Sequence, residues 1–190
     1  MTKLWLGMIL CFCLSSVYAD VAVFAGGCFW CTQTDFEKVP GVKATLVGYD
    51  GGVIKNPTYP LVSSGTTRYV ESVRVQFDPS MVTYKQLVNY FFHTVDVTQA
   101  NGQFCDIGPQ YRSVIFYLNP EQKKVAQQAL KSLSEQVPNV QTDLIPSTHF
   151  YQGEDYHQHY AIKNPVRYKY YRWSCGRDKR LQQLWGEKAK

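Results

Sequence analysis

The sequence predicts an α+β fold, a two-layer sandwich with a ferredoxin-like β-α-β-β-α-β core. Three observations support this prediction: strand and helix patterns follow one another in that order between residues 21 and 136, residues 69–77 alternate cleanly between apolar and polar, and residues 84–93 form an amphipathic helix pattern. The chain has 190 residues, which is about one domain once an N-terminal leader is set aside. No repeat or linker interrupts it.

The first three elements are a strand, a helix and a strand. Residues 21–25 are a short apolar run, which predicts a buried strand. Residues 32–38 have helical composition and stop at Val39, Pro40 and Gly41. Residues 42–48 predict the second strand, which leads into a glycine-rich turn.

The remaining elements complete the order. Residues 69–77 predict a strand with one apolar face, and residues 84–93 the second helix. Residues 113–118 predict the last core strand, and Pro120 suits the first turn of a helix that runs to about Gln136.

Glu71 stands on the apolar face of its strand, in register with Val73 and Val75. A buried carboxylate is costly unless it is paired or hydrogen-bonded, so burial there favours a raised pKa. The alternative is a glutamate at the strand edge that reaches solvent. The alternation favours the inward acid.

Residues 26–31, with the sequence GGCFWC, lie where the first strand turns into the first helix. The glycines allow a tight turn, and the helix start would stabilise a thiolate on Cys28 and lower its pKa. Phe29 and Trp30 add an apolar surface. An inert buried cysteine is the alternative, but the glycines, the helix start, the aromatic pair and the second thiol of Cys31 favour a nucleophile.

Residues 1–19 have the pattern of a secretory signal peptide, which leaves a single domain at residues 20–190. Lys3 precedes an apolar run from residue 4 to 14, and Val17 and Ala19 fit the small-residue cleavage pattern. The run is too short to span a bilayer. We therefore expect cleavage after Ala19 and export to the periplasm or the medium, with no stable membrane anchor.

Cleavage would remove Cys11 and Cys13 and leave four cysteines, namely Cys28, Cys31, Cys105 and Cys175. Exported proteins usually use cysteines for structural disulfides. Two thiols beside a helix start favour redox chemistry over structural cross-links.

The formal net charge is +5, and part of the excess lies in the basic and aromatic tract at residues 167–173. Such interleaving also occurs in nucleic-acid-binding proteins. Export and the absence of a groove-binding motif favour a solvated surface segment anchored by its aromatic residues, so no nucleic-acid partner is expected.

Six sequence blocks resemble methionine sulfoxide reductase A, the peptide-methionine (S)-S-oxide reductase family. They occur in the family's order over nearly all of the mature chain: residues 26–30, 56–59, 70–71, 77–79, 108–113 and 154–158. The resemblance implies reduction of methionine (S)-sulfoxide, free and in proteins, and hence repair of oxidised exported proteins. We expect no bound cofactor and recycling by an external dithiol reductant. Export would put cytosolic thioredoxin out of reach, so the expected partner is a periplasmic thioredoxin-like protein.

The resemblance also assigns the site residues. Cys28 would attack the sulfoxide sulfur, and Phe29 and Trp30 would enclose the S-methyl group. The groups around the sulfoxide oxygen would be Glu71, Tyr59 and Tyr111, with Asp106 assisting through hydrogen bonds. The chemistry is coherent, because a sulfoxide needs a proton on its oxygen before a thiolate can attack its sulfur.

Attack leaves a sulfenic acid on Cys28, which a second thiol converts to a disulfide. Many family members have glycine where this chain has Cys31, and others carry the recycling cysteine on a glycine-rich tail. Cys31 forms a Cys-x-x-Cys pair with Cys28 and is the predicted resolving residue. Cys175 and Cys105 remain alternatives.

The histidines raise the question of a metal site, because His157 and His159 lie near Glu154, Asp155 and His149. Positions two apart on a helix face different sides, so a structural role is predicted and no metal. Two other functions stay open: a general thiol–disulfide oxidoreductase with a thioredoxin-like core, and an exported copper- or zinc-binding protein without turnover.

Overall fold

The computed structural model describes residues 19–189. The predicted signal peptide therefore lies outside the described residues except for Ala19. Within them the strands are β1 (Asp20–Gly26), β2 (Val42–Asp50), β3 (Val70–Phe77), β4 (Gly102–Gln103), β5 (Asp106–Ile107), β6 (Ser113–Tyr117), β7 (Asp143–Pro146) and β8 (Tyr151–Gln152).

The helices are α1 (Phe29–Phe36), α2 (Tyr59–Ser63), α3 (Tyr84–Phe92), α4 (Pro120–Ser134), α5 (Tyr160–Lys163), α6 (Pro165–Ser174) and α7 (Arg177–Trp185). Side-chain caps begin two of them. Thr83 and Gln86 form a reciprocal capping box at α3, and the Asn119 side chain accepts a hydrogen bond from Gln122 N at α4. Each cap satisfies amides that the first helical turn leaves unpaired.

Six of the described strands form one sheet in the order β7-β6-β1-β3-β2-β8. β1 is antiparallel to β3 on one side and to β6 on the other, and β2 is antiparallel to β3. The inner order β6-β1-β3-β2, with α1 and α3 as the connecting helices, is the predicted ferredoxin-like core. The α+β prediction is confirmed.

Aromatic packing joins the two helices to the sheet. The ring of Phe24 on β1 stacks on Phe36 of α1 and on Phe91 of α3, with centroid distances of 4.8 and 5.1 Å. All three side chains are fully buried. Burying such rings is the main favourable term in folding a domain of this size, and here it sets α1 firmly at the end of β1.

Several elements were not predicted. β7 adds to the sheet beside β6 in parallel, β8 adds at the opposite edge, and β4 and β5 pair as a separate two-stranded ribbon. Helices α5, α6 and α7 follow the core in sequence. Among the described residues, none of the helices has the length and apolar character needed to cross a membrane.

Candidate active site

The turn between β1 and α1 places Cys28 at the N-cap of α1. Gly27 has φ of +83°, and a Cβ there would lie 2.5 Å from Gln103 Cβ. Only glycine adopts this positive φ and fits this close to Gln103 without strain. The Cys28 carbonyl accepts hydrogen bonds from the amides of Cys31 and Thr32, at 3.1 and 3.2 Å. The predicted strand-to-helix turn is present, with the helix beginning three residues earlier than expected.

Cys28 opens into a cavity of about 220 Å³. Eight residues line it, seven of which were predicted from the sequence: Cys28, Phe29, Trp30, Tyr59, Glu71, Asp106, Tyr111 and Tyr171. A larger groove of about 860 Å³ lies between α3, α4 and the C-terminal residues, and it contains none of the predicted site residues.

Glu71 is 2% exposed, as the strand alternation predicts. Its Oε2 accepts a hydrogen bond from Phe29 N at 3.1 Å, which links the acid directly to the residue after Cys28. Burial raises the pKa of Glu71 to about 8, although the amide of Phe29 opposes this and Asp106 adds to it. At neutral pH the acid is therefore mostly protonated and can donate a proton.

The two thiols of the turn are both buried and hydrogen-bonded to each other. Burial, the contact with Cys31 and the nearby carboxyls of Glu71 and Asp106 raise the pKa of Cys28. The hydrogen bond from Cys28 lowers the pKa of Cys31, with help from the guanidinium groups of Arg177 and Arg172. The predicted lowering of the Cys28 pKa by the helix start is therefore wrong: burial, the contact with Cys31 and two acids outweigh the helix dipole.

Tyr59 and Tyr111 bring two phenols to the same cavity. Burial, and the proximity of Glu71, raise the pKa of Tyr59 to about 12 and that of Tyr111 still further. No hydrogen bond contributes to either of these pKa shifts. Both stay protonated and can donate to an oxygen atom bound in the cavity.

Phe29 and Trp30 form an apolar wall. Phe29 is fully buried, and its ring lies 6.4 Å from those of Trp30 and Tyr59. Trp30 stacks on Tyr160 at 3.7 Å and donates from Nε1 to His157 Nδ1 at 3.1 Å. A rigid aromatic surface of this kind suits a methyl group on sulfur, because sulfur and aromatic rings attract each other.

A family model described as peptide methionine sulfoxide reductase matches residues 20–189. The MsrA/MsrB reductase of Vibrio cholerae is 47% identical over 87% of this chain, which spans 44% of that protein's length. MsrA 2 of Caulobacter vibrioides is 42% identical over 91% of this chain and 89% of its own. The structure of methionine sulfoxide reductase A of Corynebacterium diphtheriae superposes with a TM-score of 0.71, at 32% identity over 80% of this chain and 78% of its own.

The chain belongs to the peptide methionine sulfoxide reductase family. It is an oxidoreductase that reduces methionine sulfoxide. The alternative of a general thiol–disulfide oxidoreductase required a thioredoxin-like core, which the sheet order excludes for the described residues. A binding protein without turnover does not fit a family of reductases, nor a cavity that joins a thiol to a protonated acid.

A disulfide in the reductase was not foreseen. Cys105 and Cys175 are bonded to each other, with a Cα–Cα distance of 5.0 Å. Neither residue therefore carries a free thiol in this structure. Cys28 and Cys31 are the free cysteines among the described residues.

Tyr171 is the site residue that sequence reasoning missed. It belongs to the tract at residues 167–173, which was predicted to be a surface segment, but its hydroxyl donates to Asp106 Oδ2 at 2.5 Å inside the cavity. Burial raises the pKa of both groups. The available signal was the spacing of Tyr168 and Tyr171, because helical residues three positions apart share a face. Tyr168 is itself buried, so that face of α6 is covered.

Residues 154–158 form hydrogen bonds that hold residues of the cavity in place. The Glu154 carboxylate accepts from Tyr49 OH at 2.6 Å and from Tyr59 N at 2.7 Å, so it fixes the backbone of a cavity residue. His157 accepts from Trp30, whereas His159 pairs with Glu37 at 2.7 Å, so the two histidines face different partners. The predicted structural role of these residues agrees with this arrangement.

Proposed function

We propose that the reductase acts on the S epimer of methionine sulfoxide, free and in proteins, through a sulfenic acid on Cys28. The Cys28 sulfur attacks the sulfoxide sulfur while Glu71 protonates the sulfoxide oxygen. The attack forms a transient S–S bond. This bond and the S–O bond to methionine then break as the oxygen passes to Cys28 as –SOH and methionine leaves. The proton released by the Cys28 thiol restores Glu71, so the acid is regenerated.

One observation carries this mechanism: a thiol and a buried acid with a pKa of about 8 line the same small cavity. A thiol alone attacks an unprotonated sulfoxide poorly. The protonated acid gives a proton to the sulfoxide oxygen, which makes the sulfur more electrophilic. Tyr59 and Tyr111 donate hydrogen bonds to the same oxygen, and Phe29 with Trp30 holds the methyl group. Asp106 contributes to the cavity wall through its hydrogen bond with Tyr171.

The assay that tests the function uses purified mature protein, dithiothreitol, and each epimer of free and peptide methionine sulfoxide. We expect methionine from the S epimer in both forms. Reduction of the R epimer at a comparable rate would contradict the stereochemical assignment, and no methionine from either epimer would contradict the proposed function itself.

We propose Cys31 as the resolving residue. Its thiol is already in contact with that of Cys28, and the guanidinium groups of Arg177 and Arg172 favour its thiolate form, which is the form that attacks a sulfenic acid. Closing this bond requires rearrangement of only the first turn of α1. Cys105 and Cys175 are bonded to each other and offer no free thiol. The products are a Cys28–Cys31 disulfide and water.

We predict that Cys31→Ser gives one methionine per enzyme and then stops with Cys28 as a sulfenic acid. Trapping with dimedone and mass spectrometry measures that acid, since the resolving thiol is gone. Cys105→Ser and Cys175→Ser serve as controls and should sustain turnover with a thioredoxin-type reductant at saturating sulfoxide. A wild-type crosslink from Cys28 to Cys105 or Cys175, without a Cys28–Cys31 bond, would contradict the assignment.

We further propose that the enzyme is exported, is recycled by a thioredoxin-like dithiol protein and repairs oxidised exported proteins. The leader pattern at residues 1–19 and the family resemblance support this proposal. The intact mass of protein recovered from outside the cytoplasm tests it, because cleavage after Ala19 leaves Asp20 at the N-terminus. Recovery of the full-length chain from the cytoplasm alone would contradict it.

A further inference from the structure

The Cys105–Cys175 disulfide joins two segments that are 70 residues apart in sequence. Cys105 directly precedes Asp106, the first residue of β5, and Cys175 directly follows α6. Tyr171 stands one helical turn before Cys175. Each half of the disulfide is therefore attached to a segment that contributes a residue to the active-site cavity.

The atoms of the crosslink and of the cavity wall are in contact. The two sulfurs lie 3.9 and 4.0 Å from the carboxyl oxygens of Asp106, and Cys105 N is 3.2 Å from Cys175 Sγ. The same carboxyl accepts the hydrogen bond of Tyr171. Neither cysteine lines the cavity itself, so the disulfide lies immediately behind the Asp106–Tyr171 pair.

Other contacts tie each segment to a different part of the fold: Arg172 of α6 forms an ion pair with Asp35 of α1 at 2.9 Å, and the Gln103 side chain is hydrogen-bonded to the backbone of Asp96. β5 has two residues and pairs only with the two-residue strand β4 among the described strands. Two residues after Cys175, Arg177 contacts both the end of β1 and the segment after α3. Its Nη1 donates to Gly26 O at 3.0 Å, and its Nη2 donates to Thr94 O at 2.7 Å. Residues 175–177 therefore connect the cavity wall to the strand that carries the nucleophile.

We propose that the Cys105–Cys175 disulfide is a positioning crosslink that holds Asp106 and Tyr171 in place for substrate binding, and that it takes no part in the redox cycle. A crosslink restricts the conformations open to two short segments, and a wall held in advance costs less to order when a ligand binds. The proposal rests on the proposed function, because it assigns the redox steps to Cys28 and Cys31.

The test compares wild type with Cys105→Ser/Cys175→Ser in single turnovers over a range of methionine sulfoxide concentrations. Both proteins are first treated with a limiting thioredoxin-type reductant, and mass spectrometry confirms free Cys28 and Cys31 and, in wild type, an intact Cys105–Cys175 bond. We expect the apparent Kd for the sulfoxide to rise about tenfold in the variant while the maximal rate changes less than about threefold, because positioning of the wall is lost and the reacting groups are kept.

Tyr171→Phe separates positioning from general stability. It removes the hydrogen bond to Asp106 and keeps the crosslink, so it should raise the apparent Kd in wild type but have little further effect in the double serine variant. Leu133→Ala is the matched control: it opens a cavity under α4, remote from the site, and should lower Tm without changing the apparent Kd.

Three results would overturn the proposal: an unchanged apparent Kd in the double serine variant, full additivity with Tyr171→Phe, or reduction of the Cys105–Cys175 bond by the thioredoxin-type reductant followed by its re-formation as sulfoxide is consumed. The last would make the disulfide a redox partner of Cys31. Failure of wild type to reduce the sulfoxide at all would instead count against the proposed function, so the two failures are distinguishable.

Discussion

Cys28→Ser is expected to abolish methionine sulfoxide reduction, including the first turnover. A serine oxygen is a far poorer nucleophile towards sulfur than a thiol, and Cys31 does not line the cavity, so no remaining group there can accept the oxygen. The measurement is methionine formed per enzyme in a reductant-free single turnover, with Cys31→Ser as the matched control that still completes one.

The fold of Cys28→Ser should be intact. The side chain is small, 5% exposed, and its capping position in α1 is one that serine favours. An unchanged Tm within a few degrees, together with no detectable methionine, would show that the loss is chemical. More than trace turnover in this variant would contradict the mechanism.

Glu71→Gln is expected to slow the reductive step by on the order of a hundredfold at neutral pH. The amide matches the size of the acid and can still accept from Phe29 N, but it has no proton to give. Glu121→Gln, on the exposed first turn of α4, is the control and should react at the wild-type rate. A wild-type rate for Glu71→Gln at neutral pH would place the acid elsewhere.

The pH dependence gives this prediction a second measurement. Glu71 acts in its protonated form, so the wild-type single-turnover rate should fall as pH rises through its pKa of about 8. Glu71→Gln should lack that falling limb. Its defect should also shrink at low pH, where solvent acid partly replaces the missing proton.

Periodicity in the sequence was enough to predict the core and the acid. Alternation along residues 69–77 placed Glu71 beside Val73 and Val75 inside the fold, and the structure has it there. The GGCFWC turn could be predicted because glycine with positive φ and a helix start have local signatures. These features depend on neighbours in sequence.

The features that could not be predicted depend on distant contacts. The partner of Cys105 is 70 residues away, and no spacing rule identifies it. Tyr171 enters the cavity because its hydroxyl reaches Asp106 on β5, a contact that local pattern does not reveal. The predicted direction of the Cys28 pKa shift was wrong because the folded chain buries the thiol, which is the main cause of the raised pKa, with Cys31, Glu71 and Asp106 adding to it.

β1 lies at the centre of the sheet, and this position sets the local stability of the nucleophile turn that follows it. β1 is hydrogen-bonded on both sides, so amide exchange along it should require opening of the whole domain, and the nucleophile turn at its end shares that protection. Asp106 and Tyr171 lie outside that sheet, on β5 and α6, and the Cys105–Cys175 disulfide ties these two segments together. The reacting half of the cavity is thus held by hydrogen bonds on both sides of β1, and the opposite wall by a covalent crosslink.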